Sequence, residues 1–188
     1  MFPIRETIDS REASTLQLHE IQTIRNSKEM QTRLISSLDL ILKVYGMSLA
    51  AKGPGYLIEP YRSTVYACQH YKTLQSAGHP DFLTRIFKSL VELGQPDYVP
   101  SIILFILAEQ SQNKQLRGRE LVHIMDSTWV YCMRDTPAQH CVADVIMFVR
   151  EQHGRHKDRF TMKAYREILE DRDRHEVWPK FNPIAFGC

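Results

Sequence analysis

Apolar residues recur along most of the chain at intervals of three and four positions, the spacing that places one stripe on one face of an α-helix. The clearest stretch begins near Met30, where Asn26 followed by Glu29 fits a capping box. Gly53-Pro54-Gly55 is expected to end this helix, because neither residue type sustains one. The stripe consists of Met30, Leu34, Ile35, Leu38, Ile41, Leu42, Tyr45 and Leu49.

Proline and glycine mark the limits of the helices that follow. Pro60 and Pro80 suit the first turn of a helix, where the missing N–H would have no intrahelical acceptor. Gly78 and Gly94 are placed to terminate those two helices. Three more helical stripes are predicted at residues 121–133, 142–149 and 162–169, and Thr161 begins the last of them.

Residues 102–108 are apolar at every position, so a β-strand competes with a buried helix there. The helices predicted on either side, and the continuation into Glu109-Gln110, favour a central buried helix. Residues 111–118 are polar and are expected to form a loop. No stretch alternates apolar and polar residues between hairpin turns, so no sheet is predicted.

The pattern therefore predicts an all-α protein of seven to eight helices with short links. Its architecture is an irregular orthogonal helical bundle or a set of stacked helical hairpins, since each amphipathic helix must bury its stripe against another. We expect residues 26–176 to form the helical core domain. Residues 1–25 are predicted to be an N-terminal arm or a peripheral helix, and residues 177–188 an extended aromatic tail.

Composition narrows the function without identifying it. The chain has 188 residues, of which 43% are hydrophobic and 24% charged, and its net charge of +2 is too small for the whole molecule to act as a polyanion binder. Its longest apolar run falls well short of the roughly 20 residues that cross a bilayer, so no membrane span is predicted. The four cysteines lack paired spacing and no signal peptide is evident, which predicts reduced thiols in an intracellular protein, cytoplasmic or nuclear.

A metal site is one candidate, because thiols and imidazoles, the ligand types that zinc prefers, occur between residues 132 and 156. The spacing argues against it, since Gly154 separates the two histidines that would share a helix turn. The alternative is two buried thiols and surface histidines, and we predict no metal and no other cofactor. The candidate ligands are Cys132, His140, Cys141, His153 and His156.

Acid–base catalysis has a similarly weak basis. His123 and Asp126 lie three residues apart, so the carboxylate could orient the imidazole, but no nucleophile or phosphate-binding loop accompanies them. An ordinary pair on a helix surface explains the spacing as well. A hydrolase or metal-dependent enzyme is therefore the third hypothesis, and no catalytic residue is predicted.

A locally basic segment supports the second hypothesis, a helical protein that binds RNA or single-stranded nucleic acid. Cations neutralise the phosphate backbone, and the interleaved Phe160 and Tyr165 offer stacking faces. The alternative is a solvated loop whose charges pair with the acidic residues that follow. The candidate cations are Arg150, Arg155, Lys157, Arg159 and Lys163.

The leading hypothesis is a non-enzymatic domain for protein–protein interaction or self-assembly, as in a scaffold, adaptor or structural protein. It rests on aromatic residues in segments that look exposed, because such residues often anchor a partner. For the proline-spaced tail, the alternative is that it folds back as a lid over its own core. The candidate partner residues are Tyr56, Tyr61, Trp178, Phe181 and Phe186.

Overall fold

The structure is a computed structural model that describes residues 16–151 and 159–188. Within these ranges the chain is predominantly helical, which confirms the predicted all-α class. The helices are α1 (Leu18–Asn26), α2 (Lys28–Val44), α3 (Thr64–Leu74), α4 (His79–Glu92), α5 (Tyr98–Gln112), α6 (Arg119–Ile124), α7 (Val130–Cys132), α8 (Thr136–Glu151) and α9 (Met162–His175).

Helix α5 is the centre of the fold. Every residue from Tyr98 to Ser111 is buried, because α4, α8, α9 and a short strand all pack around this helix. The strand alternative for residues 102–108 is therefore wrong and the buried helix is confirmed. The helix also continues to Gln112, so the connecting loop begins later than the polar sequence predicted.

A two-stranded antiparallel ribbon, which the sequence did not predict, follows α2. Strand β1 (Met47–Leu49) pairs with β2 (Ile58–Pro60), and Met47 lies opposite Pro60. Helix α2 ends at Val44 because Gly46 adopts a φ of +78°. Pro60 therefore closes a strand instead of opening a helix, and α3 begins at Thr64 behind its N-cap, Ser63.

The helical stripe predicted at residues 121–133 is interrupted by a π-helical turn, Met125–Trp129, between α6 and α7. The wider turn directs Trp129 into the core, where its ring packs edge-on against Phe87 at 4.9 Å between centroids. The indole Nε1 donates a hydrogen bond to Thr84 Oγ1 at 2.7 Å. This turn thus joins the α6–α7 segment to α4.

The local signals at helix starts were correct in some places and displaced in others. Pro80 lies in the first turn of α4, and the Thr161 side chain caps α9 by accepting from the N–H of Ala164. At α2 the N-cap is Ser27 and not Asn26, because α1 extends through Asn26. Helix α1 is fixed to the core by Arg25, whose Nε donates to the carbonyl of Glu92 at 2.8 Å.

Candidate functional site

The aromatic tail folds back on its own chain. Trp178 is 4% exposed and Phe181 is 7% exposed. The Trp178 indole donates to Asp97 Oδ1 at 3.1 Å, and the Phe181 ring lies 5.4 Å from Phe148 and 6.1 Å from Phe186 between centroids. The prediction that these rings are surface anchors for a partner is therefore wrong. The rings close the core, as the lid alternative describes.

Removing the Phe181 ring tests whether the tail acts as a lid over the core. We expect Phe181→Ala to lower the free energy of unfolding by about 3 kcal/mol, near the low end for a buried aromatic ring, because a terminal segment can shift to fill part of the cavity. Ile184→Ala is the matched control, since that side chain is 90% exposed and its loss should cost less than about 0.5 kcal/mol. Chemical denaturation of both variants measures the difference, and equal stabilities would contradict the lid.

Tyr56 is a packing residue as well. Its ring is half-buried, 6.3 Å from the Trp178 ring, and the guanidinium of Arg172 lies 5.8 Å from its centroid. Burial raises the pKa of Tyr56 to about 12, although the positive charge of Arg172 opposes the shift. Arg172 is itself held by Asp97, with 2.9 Å between Nη2 and Oδ2. These contacts make Tyr56 part of the support for the tail.

Tyr61 is different, because it belongs to a cluster that faces solvent. The guanidinium carbon of Arg62 lies 5.0 Å from the Tyr61 ring centroid and 5.1 Å from that of Tyr66. The two tyrosine rings meet edge-on at 5.7 Å, and the Tyr66 ring lies 4.6 Å from the imidazole of His70. Lys43 Nζ approaches the Tyr61 ring from α2 at 5.7 Å. We call these five residues the tyrosine–arginine surface.

The backbone holds Arg62 in a particular place. It has a φ of +64°, uncommon for a residue with a side chain, and directly precedes Ser63, the N-cap of α3. Arg62 thus directly precedes the positive end of the α3 dipole. A side-chain hydrogen bond with Tyr61 also raises the pKa of Arg62, so this group remains a cation at any physiological pH. Exposed Val44 and Val65 lie next to the cluster in sequence and add apolar area.

The two cations of this surface, Lys43 and Arg62, differ in whether a carboxylate of the same chain pairs with them. Lys43 Nζ is 2.5 Å from Asp39 Oδ2, and that hydrogen bond raises the pKa of Lys43. Asp39 also accepts from the N–H of Leu49 at 2.9 Å and so fixes the end of β1. Arg62 is exposed and lies against the two tyrosine rings, and no carboxylate of the described residues forms an ion pair with it. A planar guanidinium of this kind suits a carboxylate.

The structure describes three of the five candidate cations of the basic segment. Arg150 binds Asp126 through two hydrogen bonds of 2.9 Å and also donates to Gln110 Oε1, so it joins α8 to the π-turn and α5. Lys163 is exposed and lies 3.5 Å from Glu167, while Arg159 is half-buried. The other two candidates, Arg155 and Lys157, lie outside the described residues, and the use of this segment for nucleic acid stays a prediction.

The candidate catalytic and metal residues do not assemble in the part of the chain that the structure describes. Asp126 is occupied by Arg150, and His123 and His140 are exposed. Across residues 16–151 and 159–188, no three histidine, cysteine, aspartate or glutamate side chains come close enough together to hold a metal ion. His153 and His156 lie outside those ranges. Over the same ranges, no helix combines the length and apolar character needed to cross a membrane.

Comparison with known proteins gives one consistent result. Residues 1–168 match the model of the opioid growth factor receptor (OGFr) conserved region. The chain is 31% identical to the human opioid growth factor receptor over 165 residues, which is 85% of this chain and 22% of the relative. It is 33% identical to the rat protein over 152 residues, or 80% of this chain and 25% of the relative.

A further relative is the opioid growth factor receptor-like protein 1 of Xenopus tropicalis, at 30% identity over 111 residues, 58% of this chain and 20% of the relative. The chain thus spans about a quarter or less of the length of these curated relatives. No solved structure is significantly similar to it.

Proposed function

The chain belongs to the opioid growth factor receptor family, and we propose that it is a non-enzymatic binding domain that takes an acidic segment of a protein or peptide partner. Relatives are named as receptors, which supports binding and not catalysis. The observation that carries the proposal is the exposed guanidinium of Arg62, held against the rings of Tyr61 and Tyr66. We propose that Tyr61 contacts the partner.

Preorganisation is the physical reason for choosing this surface. An arginine side chain normally loses much rotamer freedom on binding, and ring faces that already hold Arg62 reduce that loss. The N-terminus of α3 adds partial positive charge at the same place. The adjoining tyrosine rings and valines supply contact area of the kind that anchors interfaces. Self-association is the other outcome, in which an acidic segment of a second copy occupies the surface.

A display library of random ten-residue peptides tests the proposal. We expect selection on the wild-type chain to enrich aspartate and glutamate beside an apolar residue. Reversing the charge with Arg62→Glu should weaken the selected peptides by about tenfold or more, since it replaces attraction by repulsion at a preorganised contact. Affinity should also fall as salt rises, because the contact is exposed. Fluorescence anisotropy measures both effects.

Arg119→Glu is the matched control, because it makes the same charge change at an exposed arginine on α6. It should leave affinity nearly unchanged. Peptides that bind Arg62→Glu as tightly as wild type would contradict this surface, and a concentration-dependent dimer lost in Arg62→Glu would identify self-association.

The compartment is a related proposal. None of the four cysteines forms a disulfide, and two of them, Cys132 and Cys141, are buried. Burial raises the pKa of Cys141 to about 12, which keeps its thiol protonated. Free thiols persist in reducing compartments, so we propose that this domain acts inside the cell, in the cytoplasm or nucleus.

A further inference from the structure

We propose that a cavity between α3, α5 and α9 binds a primary ammonium group, with the carboxylate of Glu109 as its counter-ion. The cavity measures about 580 Å³ and has Glu109 among its lining residues. None of the five residues of the tyrosine–arginine surface lines it, so it adds a ligand class to the proposed binding role. The ammonium group can come from the amino terminus of a peptide or from a lysine side chain.

Glu109 is the unusual group. It lies in the last turn of α5, is fully buried, and follows seven consecutive apolar residues. Its Oε2 accepts a hydrogen bond of 3.1 Å from the Asn113 amide, but Oε1 has no hydrogen-bond partner in the described chain. The hydroxyl of Tyr71 is close enough to this carboxyl to oppose the rise in its pKa. The Oε1 atom of Glu109 is thus left for a ligand in the cavity to satisfy.

A buried carboxylate without a cation is costly, and the described part of the chain supplies none. Lys163 lines the cavity but is 81% exposed and lies against Glu167. Arg166 also lines it and is exposed, and no ion pair joins either cation to Glu109. The carbonyl end of α5 adds partial negative charge beside the carboxylate. These features favour a small cation over a neutral or anionic group.

The other walls are compatible with such a ligand. The first turns of α3 and α9 border the cavity, and their positive ends would oppose a cation. Side chains already engage several of the N–H groups there, since Ser63 caps α3, Thr161 caps α9, and Gln112 Oε1 accepts from the N–H of Met162 at 2.8 Å. The volume lies within the usual range of ligand pockets, roughly 300–1,000 Å³.

Titration of Glu109 gives the site a pH dependence. Burial raises the pKa of Glu109, and the Asn113 amide and Tyr71 hydroxyl offset only part of the shift. An ammonium ligand needs the ionised form, so its affinity should fall as pH drops through that raised pKa. The ionisable groups facing Glu109 are Cys68 and Tyr71 on α3, and those on α9 are Lys163, Arg166, Glu167 and Glu170.

Three arginine-free peptide libraries test the proposal on the purified chain. One is lysine-free with a free amino terminus, the second is its N-acetylated twin, and the third is N-acetylated with one central lysine. We expect the immobilised chain at pH 8 to retain at least one amine-bearing library about tenfold or more above the acetylated, lysine-free twin. Which library is retained identifies the source of the ammonium group. The preference should shrink as the pH is lowered to 5.

Single-residue variants distinguish binding at Glu109 from a non-specific attraction of amines to negative charge. Glu109→Gln keeps the shape of the side chain and should abolish the preference. Glu170→Gln removes an exposed carboxylate at the cavity mouth and should keep most of it. Arg62→Glu should leave the preference intact, so failure of the acidic-partner proposal and failure of this one give different results. Equal retention of all three libraries, or an unchanged preference in Glu109→Gln, would overturn the proposal.

Thermal stability supplies a second readout. Below the ordinary pKa of glutamate, residue 109 is protonated in both the folded and unfolded states, and burial of the charge costs nothing. As pH rises through the raised pKa of the folded state, the cost of burying the ionised carboxylate appears in full. Glu109→Gln should therefore melt higher than wild type at pH 8 and equally at pH 4. A lower melting temperature at pH 8 would show a structural carboxylate and overturn the proposal.

Discussion

Replacing Trp129 by alanine should lower the free energy of unfolding by about 3–5 kcal/mol, the cost typical of deleting a fully buried indole. Trp129 is 0% exposed, its ring packs against Phe87, and its Nε1 hydrogen bond to Thr84 would be lost as well. For a chain of this length the loss corresponds to a drop in melting temperature of roughly 6–20 °C. Calorimetry and urea denaturation measure both quantities.

Tyr131→Ala is the control for that experiment. Tyr131 lies two residues further along the same helical segment and is 78% exposed, so its truncation should change stability by less than about 0.5 kcal/mol. A melting temperature for Trp129→Ala within 2 °C of that of Tyr131→Ala would show that the π-turn does not direct the indole into the core.

The buried central helix could be predicted from the sequence because the pattern that indicates it, an unbroken run of apolar residues, is local. The run at residues 102–108 identified the buried helix, and Pro80 and Thr161 identified the beginnings of α4 and α9. The π-turn at Met125–Trp129 could not be inferred, since the stripe through Trp129 reads as an ordinary helix. The wider turn accompanies the packing of α6 and α7 on α4, which is a tertiary property.

The ribbon was missed for a physical reason. Tyr45 and Leu49 continue the apolar spacing of α2, so the pattern predicted a longer helix, although Gly46 between them was a signal that it ends. Gly53-Pro54-Gly55 was interpreted as the stop of that helix, whereas it lies in the connection between β1 and β2. Strands of three residues are too short to show a period of two.

The candidate site was only partly accessible to sequence reasoning. Tyr61 was predicted as a partner residue but Arg62 was not, because the contact of one guanidinium with two rings depends on how the ribbon meets α3. Trp178 and Phe181 are buried, and proline spacing in a tail does not distinguish a lid from an anchor. The signal for Glu109 was present as an acidic residue ending an apolar run, but its burial is a tertiary property.

Replacing Gly46 should also have a large effect on stability. This residue lies where the ribbon meets α3, at the joint that positions the tyrosine–arginine surface. Gly46 has a φ of +78°, its carbonyl accepts from the N–H of Tyr61 at 2.9 Å, and a Cβ there would lie 2.6 Å from the carbonyl oxygen of Ala67 on α3. Gly46→Ala should cost about 2–5 kcal/mol, since the left-handed conformation costs roughly 1–2 and overpacking against backbone roughly 1–3.

Gly78→Ala is a control with the same backbone conformation, because Gly78 has a φ of +79° and nothing within 4 Å of the added Cβ. It should lose only the conformational part, about 1–2 kcal/mol, so the difference between the two variants measures the clash with Ala67. Because the N–H of Tyr61 is hydrogen-bonded to the carbonyl of Gly46, the backbone displacement in Gly46→Ala should also weaken the binding of acidic peptides. Gly78→Ala should bind those peptides normally. Equal unfolding free energies for the two variants, with equal peptide affinities, would show that the ribbon and α3 can separate without disturbing Arg62.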